Sequence, residues 1–355
     1  MSNKILLVLL LTISLSACKS NSIMNSSVKV KFTKPNQVVS MSVDRTYDFS
    51  QSNFHYYSDI HIVGDTTLVL MAAITDENSY HFHSYSIKSQ RYLGPFIQNG
   101  RAQGEMISPN VVRTSTSDNY FTVKDNNTAS GYRIDVINSV ISKHTQFVKS
   151  DSFSGTYLDW LPLNDSLKFT LQIDNDDIIY RYILNDSTDY KTVKPYNTGV
   201  GYRHITHLSS ILASSGNTGK VAEVMLFLPQ INIIDSECNN ILSIAVDRDC
   251  YKWKELLNQN LSLSTTQYYV SASSCNDYIF AVYKKQPLDI IMNSKTQSYI
   301  HIFDWSGNFL YNVIVNENLG NVAFDDIGNY LYCIENSDGR IIRYDLNGLI
   351  GPRIL

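Results

Sequence analysis

The sequence predicts an all-β fold, a six-bladed β-propeller of four-stranded antiparallel blades. The composition favours strands, because Tyr (24 residues) and Phe (14 residues) are abundant and Ile, Val and Thr are frequent. The last hundred residues consist of short alternating segments separated by turns rich in Asp, Asn and Gly. A strand-like segment also recurs six times, at intervals of roughly 40 to 70 residues, as expected for propeller blades.

The C-terminal segments show this organisation most clearly. Five strands are predicted there, each ending at a turn that contains Gly or a pair of acidic or amide residues. They are Ser298–Asp304, Asn308–Val315, Asn321–Asp325, Asn329–Glu335 and Arg340–Asp345. Strands this short, joined by tight turns, form antiparallel meanders.

The repeated segment is interpreted as the third strand of each blade. Ile300–Gly307 resembles Ile341–Gly348, with an apolar run followed by Asp and a turn Gly. Weaker copies are His83–Lys88, Tyr132–Ile137, Ile179–Leu184 and Ile231–Asp235. Six blades over about 315 residues leave about 50 residues for each, which suits a propeller.

The last blade lacks one strand, because the chain stops soon after Gly348. An alternating run within Val38 to Phe49 is predicted to supply it and so close the ring, which removes an exposed sheet edge. Tyr251–Leu257 is the only helix-like stretch and is predicted to be an insertion in blade 4. A pair of β-sandwiches is the alternative fold, disfavoured by the absence of a linker rich in Pro and Gly.

The N-terminus carries the marks of an export signal. Lys4 precedes an apolar run, Ile5–Leu11, whose seven residues are far fewer than the roughly 20 needed to span a membrane. Leu15-Ser16-Ala17-Cys18 then resembles the lipobox of bacterial lipoproteins. That resemblance implies cleavage after residue 17, a diacylglycerol on the Cys18 thiol and an acylated amine, with palmitate among the acyl chains. A soluble secreted protein with an incidental Cys18 is the alternative.

Residues 18–35 are predicted to be a lipidated flexible tether, and residues 36–355 a single propeller domain. The segment after Cys18 is dominated by Ser and Asn and has no apolar periodicity. An aspartate directly after the lipidated cysteine would resemble an inner-membrane retention signal. Lys19 occupies that position here, so anchoring in the outer membrane is expected. Whether the domain faces the periplasm or the exterior stays open.

Charge and cysteine content restrict the partners and the covalent framework. Cleavage removes one positive charge, Lys4, so the net charge goes from −4 to −5, which argues against nucleic acid as a partner.

Four cysteines remain beyond Cys18: Cys238, Cys250, Cys275 and Cys333. An exported protein can form disulfides, and a Cys238–Cys250 pair and free buried thiols are both compatible with the spacing.

The chain resembles the TolB-like six-bladed β-propeller lipoproteins of Bacteroidota-type bacteria. The resemblance rests on Cys18, on the Phe-Asp-x-x-Gly and Tyr-Asp-x-x-Gly blade ends, and on Asn99–Glu105. The family often has a Gly-Arg-Gly-x-Gly-Pro-Gly-Glu-like loop after its first blade; Gly100, Arg101, Gly104 and Glu105 match it, and the Gly-Pro step is absent. The resemblance implies a fold and a location and no reaction.

The candidate site residues are few. Arg101 and Glu105 are predicted to place charges at the mouth of the ring, or to form a structural pair in a turn. His81 with His83, and His204 with His207, have spacings that can ligate metal, but strand histidines without a metal are the favoured interpretation. Asp174–Asp177 and Asn185–Asp189 are predicted to be hairpin turns and not calcium loops, since they lack the Gly and the final Glu. No catalytic signature, metal site or cofactor is expected.

Three functions are compatible with these features. The favoured one is a monomeric binding or scaffold lipoprotein that docks an unidentified protein or glycan, consistent with the many tyrosines. The first alternative is an enzyme, a hydrolase or lyase with a metal in the central channel. The second is a structural subunit of an envelope complex.

Overall fold

The computed structural model of the 355-residue chain describes most of the predicted propeller. The described residues are 30–47, 56–73, 79–114, 119–128, 130–152, 156–164, 166–175, 177–184, 190–193, 204–216, 218–236, 240–293 and 296–351. The export signal, Cys18 and the first part of the tether lie outside these residues, and so does Cys238.

The described residues form three short N-terminal strands and six consecutive groups of strands. The N-terminal strands are β1 (Lys31–Phe32), β2 (Gln37–Ser40) and β3 (Arg45–Tyr47). Blade 1 contains β4 (Tyr57–Val63), β5 (Thr67–Ala72), β6 (Tyr80–Ser86) and β7 (Tyr92–Gln98); blade 2 contains β8 (Pro109–Val111), β9 (Phe121–Asp125), β10 (Ser130–Ile134) and β11 (Phe147–Ser152). Blade 3 contains β12 (Thr156–Pro162), β13 (Leu167–Asp174), β14 (Asp177–Leu184) and β15 (Tyr190–Val193); blade 4 contains β16 (Ser210–Ser214), β17 (Val221–Met225), β18 (Gln230–Ile234) and β19 (Ile241–Ala245). Blade 5 contains β20 (Thr266–Ser274), β21 (Tyr278–Pro287), β22 (Ser298–Asp304) and β23 (Phe309–Val315); blade 6 contains β24 (Leu319–Asp325), β25 (Tyr330–Glu335) and β26 (Ile341–Asp345).

These sheets form a six-bladed β-propeller, so the predicted fold class is confirmed. Within each blade the strands pair in sequence order and antiparallel. First strands of neighbouring blades contact one another between blades 3 and 4, 4 and 5, 5 and 6, and 6 and 1. All six repeated segments found in the sequence belong to third strands, namely β6, β10, β14, β18, β22 and β26. The repeat therefore reflects the position of a strand within its blade.

The ring is closed by the N-terminal strand β3, as predicted. β3 pairs antiparallel with β26, with Tyr47 opposite Ile341 and Thr46 opposite Ile342, and becomes the fourth strand of blade 6. Asp44 and Arg343 form an ion pair beside this junction. Blade 6 thus contains strands from both ends of the described chain.

The N-terminal segment also covers two further blade rims, which the sequence did not predict. β2 adds a parallel fifth strand to β23 of blade 5, and β1 adds one to β19 of blade 4. Phe32 contacts the Tyr251 ring edge-on, with 5.4 Å between centroids. Residues 31–33, which fall within the predicted tether of residues 18–35, therefore lie along blade 4. The boundary between tether and domain stays a prediction.

Apolar side chains fill the spaces between blades. Ile60 and Ile62 of blade 1 pack with Tyr332 of blade 6, and the Phe280 and Phe324 rings stack with centroids 4.2 Å apart between blades 5 and 6. Between blades 2 and 3, Trp160 lies directly against Gly131. A Cβ at Gly131 would lie 2.0 Å from Trp160 Cζ2, so this contact requires glycine.

The helices of the described residues are short and lie between strands. They are α1 (Val136–Ser142), α2 (Trp253–Asn258) and α3 (Leu288–Asn293), with a 3₁₀ turn, Arg248–Lys252, leading into α2. α2 follows blade 4, where a helix was predicted. The prediction of a single helical stretch was wrong, because Asp135 accepts a hydrogen bond from Asn138 N and caps α1 where the sequence suggested that a strand continues. Among the described residues no helix is long and apolar enough to cross a membrane.

The three cysteines among the described residues are buried. No disulfide joins any two of the three described cysteines, Cys250, Cys275 and Cys333. The predicted alternative of a Cys238–Cys250 pair involves a residue outside the described ones, so both alternatives stay predictions.

Candidate functional site

A polar cavity of about 280 Å³ lies at the propeller axis. First strands of blades 1 to 4 line it, together with Lys124 from β9. Its polar lining residues are Asp59, Asn110, Arg113, Lys124, Asp159 and Ser210. Asn110 is exposed, so the cavity communicates with solvent. We call this the axial cavity.

Two β-bulges place the acidic residues of the axial cavity. In β4 the register shifts between Tyr57 and Asp59, and in β12 it shifts in the same way between Tyr157 and Asp159. In both strands the aspartate Oδ1 accepts a hydrogen bond from the following backbone N–H, at 2.8 Å. A bulge redirects a side chain locally, so the repeated distortion turns one carboxylate from each of two blades toward the axis.

Asp59 is paired with Arg113 across blades 1 and 2. Arg113 Nη2 lies 2.5 Å from Asp59 Oδ1 and also donates to Asn321 Oδ1 at 2.9 Å, while Nη1 donates to the Val322 carbonyl at 3.2 Å. Asn321 in turn donates to the Ser58 carbonyl at 2.6 Å. Burial raises the pKa of Asp59, against the lowering effect of the Arg113 charge. Arg113 therefore joins blades 1, 2 and 6 at the axis.

Lys124 and Asp159 are the other charged pair of the axial cavity, and they are held apart. Lys124 Nζ donates to the Leu158 carbonyl at 2.7 Å, and Asp159 accepts the Trp160 N–H. Burial raises the pKa of Asp159, with the Lys124 charge as the main opposing influence. Both side chains belong to the described part of the chain. Lys124 Nζ and the carboxylate oxygens of Asp159 are more than 4.0 Å apart, so the two residues do not form an ion pair.

An apolar cavity of about 300 Å³ adjoins the axial cavity between blades 3 and 4. Leu171, Ile178 and Leu208 line it, and it shares Leu158, Asp159 and Ser210 with the axial cavity. We call it the side pocket.

The boundary between the two cavities is held in place by a buried carboxylate. Tyr180 donates to Glu223 at 2.5 Å from blade 3, and Ser210 donates to the same carboxylate at 3.2 Å. A polar compartment and an apolar one thus meet at Asp159.

Arg101 and Glu105 lie in the loop between β7 and β8, away from the axial cavity. Glu105 Oε2 accepts the Ala102 N–H at 2.8 Å, and Arg101 is exposed. Glu105 borders a separate cavity of about 240 Å³ next to the segment that follows α1, where Thr145 donates to the Gly104 carbonyl at 2.6 Å. Neither residue lines the axial cavity, and a binding role for them stays a prediction.

Members of both histidine pairs form hydrogen bonds within the protein. His81 Nε2 donates to the Met106 carbonyl at 2.8 Å, and His83 Nδ1 lies 3.0 Å from the Tyr92 hydroxyl. His207 Nε2 donates to the Gln259 carbonyl at 2.8 Å, next to the His204 ring. Over the described ranges no group of three or more His, Cys, Asp or Glu side chains is placed to hold a metal.

The oxygen-rich segments were predicted to be turns. Asp174 pairs with Asp177 at the end of the β13–β14 hairpin, and Asn175 between them has a φ of 47°, so the first is confirmed. The second, Asn185–Asp189, lies outside the described residues.

Buried histidines predict a loss of stability in acid. Burial lowers the pKa of His61 and His301 to about 3 and that of His83 to about 4. Between those values and about 6.5 the unfolded chain binds protons that the folded chain does not, so the free energy of unfolding should fall as the pH falls from 6.5 to 3. Each histidine contributes a slope of about 1.4 kcal/mol per pH unit.

The measurement is urea unfolding at several pH values. His61→Asn should reduce the slope, while the exposed control His144→Asn should leave it unchanged. A slope that is identical in the wild type and His61→Asn would contradict the assignment.

The charged residues of the axial cavity were not predicted from the sequence. The usable signal was a repeat between first strands, Tyr57-Ser-Asp-Ile60 and Tyr157-Leu-Asp-Trp160, which marks both bulges. The repeat among third strands is more visible, and these strands lie farther from the axis than the first strands. Arg113 and Lys124 belong to no repeated motif, and only the closed ring brings them beside the aspartates.

Comparisons with known proteins agree on the fold. A member of the DUF4221 family from Bacteroides vulgatus is 12% identical, with a TM-score of 0.50 over 92% of this chain and 98% of that one. A Bacteroides fragilis protein that is called exported in its name is 12% identical, with a TM-score of 0.51 over 87% of this chain and 99% of that one. At such identity the likeness is one of fold, and the TolB-like family assignment stays a prediction. No family model and no curated protein matches the chain.

Proposed function

We propose that this protein is a cell-envelope lipoprotein whose propeller binds a ligand in the axial cavity. The observation that carries the proposal is the bulged pair of first strands, which turns Asp59 and Asp159 toward a solvent-connected cavity at the axis. Concave sites with a few convergent polar groups beside apolar surface are typical of ligand binding. Register shifts also occur in the first strands β20 and β24, so the support comes from where two of these shifts lie: they place carboxylates beside one solvent-connected cavity.

The size of the cavities indicates what enters. Volumes of about 280 and 300 Å³ suit a small molecule, or one residue or sugar unit of a larger partner. The protein or glycan partner expected from the sequence would therefore insert one residue or one sugar unit into the cavities. The charge balance of the chain, −4 overall, supports a partner other than nucleic acid.

A variant that fills the cavity tests the binding site. Leu158 borders both cavities, so Leu158→Trp should abolish the thermal stabilisation given by any compound that binds there. Leu93→Trp, on the exposed face of β7, is the matched control and should respond like the wild type. Compounds from a library of amino acids, sugars and nucleosides that stabilise all three proteins equally would count against an axial site.

Location is tested separately. Cys18→Ala should move the protein from the membrane fraction to the soluble fraction, because the acyl chains supply the attachment. The relative that is called exported and the export signal support placement in the envelope. If the variant stays as tightly bound to membranes as the wild type, the lipid-anchor proposal fails while the binding proposal is unaffected.

A further inference from the structure

The axial cavity contains two acidic and two basic side chains, but only half of these charges are paired. Asp59 and Arg113 satisfy each other at 2.5 Å. Lys124 and Asp159 each have a backbone hydrogen bond and no ion pair with one another. An ammonium and a carboxylate are therefore presented to the same cavity, and within the described ranges neither has a contacting counter-ion.

Such an arrangement favours a ligand of particular charge. Charges held away from bulk water are costly unless they are paired and hydrogen-bonded. A cationic ligand would pair with Asp159 and leave Lys124 unpaired, and an anionic ligand would do the reverse. A zwitterion pairs with both and brings no net charge into a cavity whose four charges already sum to zero.

The side pocket selects the rest of the ligand. Leu171, Ile178 and Leu208 surround a space that begins at Asp159, so a group bound to this carboxylate can extend an aliphatic chain into it. Burying such a chain is favourable in proportion to its apolar area. Ser210, at the same boundary, has its hydroxyl hydrogen directed to Glu223 and presents its oxygen as an acceptor.

We propose that the axial cavity and the side pocket together bind a small zwitterion with an apolar side chain, of which an apolar α-amino acid is the simplest. The ligand's ammonium contacts Asp159, its carboxylate contacts Lys124, and its side chain lies against Leu171 and Ile178. The inference rests on the proposed function, because it names the ligand class of the same site. The ammonium and carboxylate of an α-amino acid are joined through one carbon, which suits two opposite charges that face one cavity.

The test is calorimetric titration of the full-length, detergent-solubilised protein with L-leucine. Each of three matched compounds lacks one element: glycine has no side chain, 4-methylpentanoate no amine and leucinamide no carboxylate. Leucine should bind at least tenfold more tightly than each of them, a difference of about 1.4 kcal/mol or more. Asp159→Asn and Lys124→Met should each weaken leucine binding at least tenfold, whereas Lys88→Met, at an exposed position, should not.

Distinct results separate the inference from the proposed function. If leucine fails to bind at millimolar concentration while another compound binds and is blocked by Leu158→Trp, the ligand class is wrong and the binding site stands. If no bound compound is blocked by Leu158→Trp, both are wrong. Leucine binding that neither Asp159→Asn nor Lys124→Met weakens also overturns the inference, and having two variants keeps the test valid if one of them misfolds.

Discussion

Replacing Arg113 by methionine should lower the free energy of unfolding by about 3 kcal/mol. The guanidinium joins Asp59 of blade 1, Asn321 of blade 6 and its own blade 2 through hydrogen bonds at the axis. Its removal leaves the Asp59 carboxylate with only the Ile60 N–H as donor and deprives the Asn321 amide oxygen of the Arg113 donor, which costs more than the pair itself contributes. Urea unfolding followed by tryptophan fluorescence measures the change.

Two further variants separate charge from packing. Arg91→Met, at an exposed position, is the control and should change the free energy of unfolding by less than about 0.5 kcal/mol. Asp59→Asn combined with Arg113→Met should recover part of the loss, because the orphaned charge is then absent. If the double variant is as unstable as the sum of the single variants, the ion pair is not what joins the blades.

Removing the closing strand should have a still larger effect. A chain that begins at residue 48 lacks β3 and with it the buried Tyr47 side chain, the ladder to β26 and the Asp44–Arg343 pair. These contacts together are worth about 5 kcal/mol, which corresponds to a fall of about 10 °C in Tm or more. The exposed edge of β26 would also promote aggregation.

A nested deletion provides the control. A chain that begins at residue 42 lacks β1 and β2 but keeps β3, and it should lose less than half as much in Tm. β1 and β2 are fifth strands, added in parallel outside complete blades, and the side chains of β1 are exposed. Equal losses in the two truncated chains would mean that the added strands, and not ring closure, stabilise the propeller.

The sequence predicted the blades well because their signals are local. Ser298–Asp304 was predicted with the bounds that β22 has, and the neighbouring C-terminal strands differ by one or two residues. Alternation and Gly-ended turns act over a few residues and can be read directly. The closing strand was also predictable, since a blade with three strands requires a fourth from elsewhere.

Features that depend on distant parts of the chain were not predictable in this way. The parallel pairing of β1 and β2 with blades 4 and 5 joins residues more than 200 positions apart, and segments of two and four residues carry no sign of it. The bulges at Asp59 and Asp159 shift the register by one residue, which alternation alone does not reveal. Hence the axial cavity was missed, whereas Arg101 and Glu105, in a loop with a recognisable pattern, were selected.

The axial cavity as a zwitterion site is tested most directly by a crystal structure of the protein grown with saturating L-leucine. We expect one leucine in the axial cavity, with its ammonium on Asp159, its carboxylate on Lys124 and its side chain in the side pocket toward Ile178. Crystals in which leucine occupies another surface, or enters the axial cavity with its carboxylate toward Asp159, would contradict it.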